Sequence, residues 1–263
     1  MLGSYVDNLV YRHEIGMNTM GRLRPGSPVV FAHGIMAACL VGNAAFDVLF
    51  SWEAGLWLTY ALMLSFALAT YPLAYFRAYR LLWHERTSGS LEQLYLTSLT
   101  TNELFEGMFY GALAPFLEAR RYMMAFGILF AVAIFVVHPG PAFLFGVAVW
   151  LVALNHCGYS AVLGTLAGLK AGCLGPNARF LPLLEISLNP LPSQIWYFLK
   201  YSLFVAPVSL ILILISGANG WARYSAYALM IMIPYVMSVR LTDLERAERL
   251  KLSHHFRKLF SFE

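Results

Sequence analysis

Residues His84–Gly107 read HERTSGSLEQLYLTSLTTNELFEG. This is the longest polar run between two apolar segments of membrane-spanning length, and the rest of the chain is arranged around it. Two helix starts lie close together within it. Ser90 followed by Gln93 forms a capping box, in which the serine oxygen takes the amide three residues on and the glutamine reaches back. Thr100 followed by Glu103 forms a second one. Leu99 and Leu104 bracket that second start at the positions of a hydrophobic staple. The pattern predicts a very short helix over 91–99, a sharp turn, and a second helix from Thr101. The short helix gathers Leu91, Leu94, Tyr95 and Leu99 on one face. A helix of that length is not stable alone in water, so its apolar face needs a surface to rest on.

The composition places this stretch in a membrane protein. Of 263 residues, 59% are hydrophobic and 12% charged, with a mean hydropathy of +0.63. A soluble domain carries about 25% charged residues. About twenty apolar residues cross the roughly 30 Å of hydrocarbon in a bilayer. Runs of that kind predict spans at 28–50, 56–79, 122–138, 142–168, 195–216 and 221–241. The fold expected is all-α: six transmembrane helices (27–241), an N-terminal interfacial helix (1–26) and a cytosolic tail (242–263). Val6, Leu9, Val10, His13, Met17 and Met20 give the first segment an apolar face at helical spacing, which suits the headgroup plane. The N-terminus lacks an apolar core of the signal-peptide type, so no cleavage is expected. Residues 101–119 are expected along the inner interface, with Arg120 and Arg121 marking membrane entry and a kink at Pro115.

Charge sets the orientation. With the N-terminus inside, Arg12, Arg77, Arg80, Arg86, Arg120, Arg121, Lys170 and the basic residues from Arg240 onward fall on the inner side, and Arg223 falls outside. That follows the positive-inside rule. Both termini and the 84–107 stretch are expected in the cytosol, and the chain in the cytoplasmic membrane.

Glu85-Arg86, Gly89-Ser90-Leu91-Glu92, Leu94, Leu96-Thr97, Leu99-Thr100 and Glu103-Leu104 resemble a pattern found in ABC-2 type permeases, the membrane subunits of one class of ABC transporter. Asn8-Leu9-Val10-Tyr11-Arg12-His13-Glu14 is similar to the opening segment of some of them. Ser98 and Met108 depart from the pattern, which often has Pro and Lys there. The resemblance implies that Glu85, Arg86, Gly89, Ser90, Leu91, Glu92, Leu94, Leu99, Thr100 and Glu103 belong to a coupling element that docks on a separate cytosolic ABC ATPase. It also implies a second permease copy, or a homologous one, as partner. Glu92 is expected to pair with Arg80 or Arg86.

The chain has no G-x-x-x-x-G-K-(S/T), so nucleotide would be bound by the partner chain. There is no H-E-x-x-H and no G-x-S-x-G, and no enzymatic activity, cofactor or nucleic-acid partner is expected. Cys39, Cys157 and Cys173 are too scattered for a C-x-x-C site. Asn155, His156, Tyr159 and Ser160 form the most polar patch within a span. They suit a substrate path or hydrogen bonds between helices. Gly34, Ala38 and Gly42, and Gly164 and Gly168, are spaced for close helix approach, within one bundle or between subunits. The competing class is a membrane scaffold without transport of its own.

Overall fold

The computed structural model describes residues 28–49, 51–89, 100–137 and 141–174, with two isolated helical positions, Pro207 and Ile211. Four helices make up these residues: α1 Pro28–Leu49, α2 Trp52–Ser88, α3 Thr101–Val137 and α4 Pro141–Leu174. No strand occurs among the described residues. The expected interfacial helix, the short helix 91–99, the spans 195–216 and 221–241 and the tail 242–263 lie outside them.

Local chemistry sets the helix ends. Pro28 and Pro141 stand at the first helical position, where a missing N–H costs nothing. The hydroxyl of Ser51 accepts from the Ala54 amide at 3.3 Å and starts α2. Gly89 ends α2 in the left-handed conformation, φ 74°, which a residue with a β-carbon adopts at a cost. Pro72 and Pro115 sit inside α2 and α3 without ending them.

Neighbouring helices run in alternate directions. Phe31 stacks near Phe66 with ring centroids 5.3 Å apart, and Asn43 donates to Thr59, so α1 and α2 are antiparallel. Gly127 faces the Trp150 ring and Gly158 faces Arg120, so α3 and α4 are antiparallel too. The closest pair, α2 and α4, runs parallel. A β-carbon on Gly168 would collide with the Tyr75 carbonyl oxygen and come within 2.9 Å of the Ala78 methyl; Gly164 meets Tyr71 and Ala74 in the same way one turn earlier. The glycine spacing therefore serves packing within the bundle. On α1, Gly34 meets no atom within 4 Å.

The bundle has two layers. In the first, α1 packs with the first half of α2, the second half of α3 and the first half of α4, around Met36, Met63, Met123, Phe130, Trp150 and Cys157. In the second, α1 is absent, and Ala78, Leu82, Leu104, Phe109, Leu166 and Leu169 knit the other halves together. Outward-facing apolar side chains mark the first layer, among them Val41, Leu68, Ile128, Leu129 and Val136. On the second layer they are Leu73, Phe76 and Leu174. The second layer instead exposes Arg80, His84, Arg86, Asn102 and Glu103.

Three helices are long and apolar enough to cross a membrane, over Pro28–Ala45, Ala54–Ser88 and Gly146–Leu174. The third helix begins well before residue 122, as the helix start at Thr101 predicts: residues 101–119 form one continuous helix with 122–137, and Leu104, Met108, Phe109 and Phe116 bury against α2 and α4. One expectation is corrected here. Helices α2 and α4 run past the expected ends at 79 and 168. In α2 the hydroxyls of Thr87 and Ser88 bond back to the carbonyls of Trp83 and His84, at 3.0 and 2.8 Å, so polar residues extend the helix until Gly89 stops it.

Candidate functional site

The far end of the three-helix layer brings together the end of α2, the end of α4 and the start of α3. A helix leaves its last four carbonyls without partners inside the helix. Arg86 supplies donors to two of those on α4: its Nη1 donates to the Cys173 carbonyl at 3.2 Å and to that of Gly172 at 3.5 Å. The cation thereby sits at the negative end of the α4 dipole. Arg86, expected as a docking residue and as a partner for Glu92, is thus a tie between two helices. Glu85 is 7% exposed and engaged within the fold, so it belongs to the bundle interior rather than to an outer surface. Lys170 on α4 is similarly buried at 9%.

The second capping box is formed as the spacing predicts. Glu103 Oε2 accepts from the Thr100 amide at 2.8 Å and from its hydroxyl at 2.7 Å, and the Glu103 amide donates to Thr100 Oγ1 at 3.3 Å. Helix α3 begins at Thr101. These bonds favour the ionised form and hold the Glu103 carboxyl below its ordinary value of 4.5. A depressed carboxylate stabilises the fold above its unfolded pKa, and that contribution is lost as pH falls through the folded value. Protection factors at the start of α3, exchange rates divided into their intrinsic values at each pH, should therefore fall as the protein is acidified below the ordinary glutamate range. A Glu103→Ala variant should exchange fast there at neutral pH already and lose that pH dependence; unchanged exchange would remove the cap from the account.

Of the ten expected coupling residues, Glu85, Arg86, Gly89, Thr100 and Glu103 are brought to this one end. Ser90, Leu91, Glu92, Leu94 and Leu99 lie outside the described residues. The end is framed by a left-handed glycine on one side and a capping box on the other.

Asn155, His156, Tyr159 and Ser160 are each half-buried. Tyr159 packs with Tyr75, Leu163, Ala167 and Ala171, beside Tyr71 and Tyr79. On α2, Tyr75, Tyr79 and Trp83 stack in a ladder with centroids 6.4 and 6.3 Å apart. A different place holds open space. Where the two layers meet, Phe66, Thr70, Phe116, Ala119, Arg120, Met123 and Cys157 line a small, partly open cavity with room for about one water molecule. The Arg120 guanidinium enters it over Gly158, and its Nε is buried without a hydrogen-bond partner. The neighbouring Arg121 is exposed. The sequence reading paired these two arginines. A helix turns about 100° per residue, which sends them to different faces.

Polar bonds also tie the first layer. Asn43 Nδ2 donates to the Cys39 carbonyl at 2.8 Å and to the Thr59 hydroxyl, which in turn donates to Gly55 at 3.1 Å. Among the described residues, no cluster of three or more His, Cys, Asp or Glu side chains could hold a metal ion. His33 stacks with Tyr122, centroids 5.1 Å apart. No protein-family model matches the chain, and no curated protein or solved structure of significant similarity was found.

Proposed function

We propose that this chain is the membrane-embedded permease subunit of an ATP-driven transporter of the ABC-2 type, with the 84–107 element as the docking point for a separate cytosolic ATPase. One observation carries this most directly. The two ends of the element, residues 84–89 and 100–107, belong to the tip of a layer that exposes charge, one layer away from the band of outward apolar side chains. With that band in the bilayer, the tip reaches into water, where a soluble partner can meet it. The helix ends on either side are pinned by Gly89, by the bonds of Arg86 to α4 and by the Thr100–Glu103 box. A push on residues 90–99 would then pass into the bundle instead of being absorbed by frayed ends. The lopsided Lys/Arg distribution adds both termini on the cytosolic side and six spans in all. A second permease copy completes the transporter. Transport is outward, since the loops expected outside are too short to receive a substrate.

The test is what co-purifies with the chain in mild detergent and whether that complex hydrolyses ATP. A stable complex without ATPase activity would instead favour a scaffold subunit. Orientation has its own check. In a cysteine-free background, a membrane-impermeant maleimide applied from outside should label a single cysteine at position 218 and miss one at position 90. External labelling of position 90 would overturn the orientation.

A further inference from the structure

The cavity between the two layers holds a cation with a donor to spare. Arg120 is half-buried, and its Nε makes no hydrogen bond. Among the described residues no carboxylate is bonded to it. Gly158 lies against its flank: a β-carbon there would be in van der Waals contact, 3.5 Å from Nη1. The other walls are mostly apolar, from Phe66, Phe116, Ala119 and Met123. Thr70 spends its hydroxyl proton on the Phe66 carbonyl at 2.8 Å. Even a half-buried cation without a counter-charge attracts an anion. Water would satisfy the N–H but leave the charge uncompensated.

The level of the cavity points to the compensating group. It lies at the lower rim of the outward apolar band, where α1 begins. Tyr122, stacked with His33, and the exposed Arg121 stand at the same level. An aromatic and basic rim of this kind belongs at the headgroup depth of a bilayer. The closed part of the cavity has room for about one water-sized atom. A ligand therefore enters as a single oxygen, with its body in the opening and its tail along the apolar band.

We propose that Arg120 and the cavity beside Gly158 form a site for the phosphodiester of an anionic lipid, one phosphate oxygen accepting from the guanidinium. This rests on the membrane reading of the apolar band and not on the ATPase partner, so it can fail while that reading stands.

The experiment follows thermal unfolding of the full chain, stripped of lipid in an uncharged detergent. Short-chain phosphatidylglycerol is titrated against the matching diacylglycerol and against inorganic phosphate. Phosphatidylglycerol should raise the unfolding temperature saturably, and the other two should not. In Arg120→Gln the midpoint concentration should rise by about tenfold or more, the loss expected of a charge-assisted bond. In Arg121→Gln it should shift much less. An unchanged midpoint in Arg120→Gln, or an equal response to diacylglycerol, would overturn the site. An equal response to inorganic phosphate would overturn the lipid assignment. Native mass spectrometry of the wild type, which needs no variant, should show one phosphatidylglycerol retained in preference to phosphatidylcholine; no preference would count against the proposal.

Discussion

A Gly168→Leu substitution should prevent the chain from yielding a folded, monodisperse protein in detergent. The β-carbon alone would collide with the backbone carbonyl of Tyr75 and lie 2.9 Å from the Ala78 methyl and 3.0 Å from the Tyr79 amide nitrogen. Two of these three atoms are backbone, so no side-chain rotation relieves the clash. Overpacking costs about 1–3 kcal/mol where side chains can move. Here α2 and α4 must separate, and the parallel contact that continues through Gly164 and Gly172 separates with them. The expected loss therefore exceeds that range. Gly168→Ala should lose stability in the same direction by less. Gly34→Ala is the control. Nothing lies within 4 Å of its β-carbon, and the gain in helix propensity is at most about 1 kcal/mol. Unfolding temperatures of the three variants read this directly. If Gly168→Leu folds like wild type, α2 and α4 are not packed as described.

The double variant Leu91→Asp with Leu94→Asp should insert normally and lose the ATPase partner proposed for it. Burying a leucine against another surface contributes about 1.5–3 kcal/mol. Two of them correspond to a change in affinity of about 10²–10⁴-fold. An unpaired carboxylate buried in their place adds a further penalty. The helix ends flanking these positions, at Gly89 and Thr100, are capped by their own local bonds and should not feel the change. Expression and unfolding temperature should stay at wild-type levels while the co-purified ATPase and its activity disappear. Full retention of both would remove the coupling role from this stretch and leave the scaffold reading in possession.

The start of α3 was legible because capping is local: Thr100 with Glu103 acts on atoms within three residues, and such spacing is visible in a linear sequence. How far α2 and α4 continue past their apolar runs was not. That depends on Thr87 and Ser88 bonding their own helix, and on glycines of α4 meeting α2. The sites fared likewise. The Thr100–Glu103 box formed as written. Arg86 was read as a docking residue, and its bonds to Gly172 and Cys173, 86 and 87 residues away, could not be read from the sequence. Arg120 passed as one of a basic pair at the membrane edge. The signal that sets it apart is Gly158 opposite, and the register of α3 on α4 is not written in either helix alone.

The two in-helix prolines stand close to the same height. Pro72 is two residues from Thr70, and Pro115 is next to Phe116; both neighbours line the cavity at Arg120. Each proline deletes one bond of its helix ladder and weakens it at that point. Helix α4 has no proline after Pro141, and it is bolted to α2 below this height by its glycines. Beyond this height the three-helix layer continues for about 15–17 residues of helix, an arm of about 24 Å. A tilt of about 10° at the two prolines would sweep the tip at Gly89 and Thr100 through about 4 Å, most of one helical turn. A small rotation between the layers would thus be magnified at the far end.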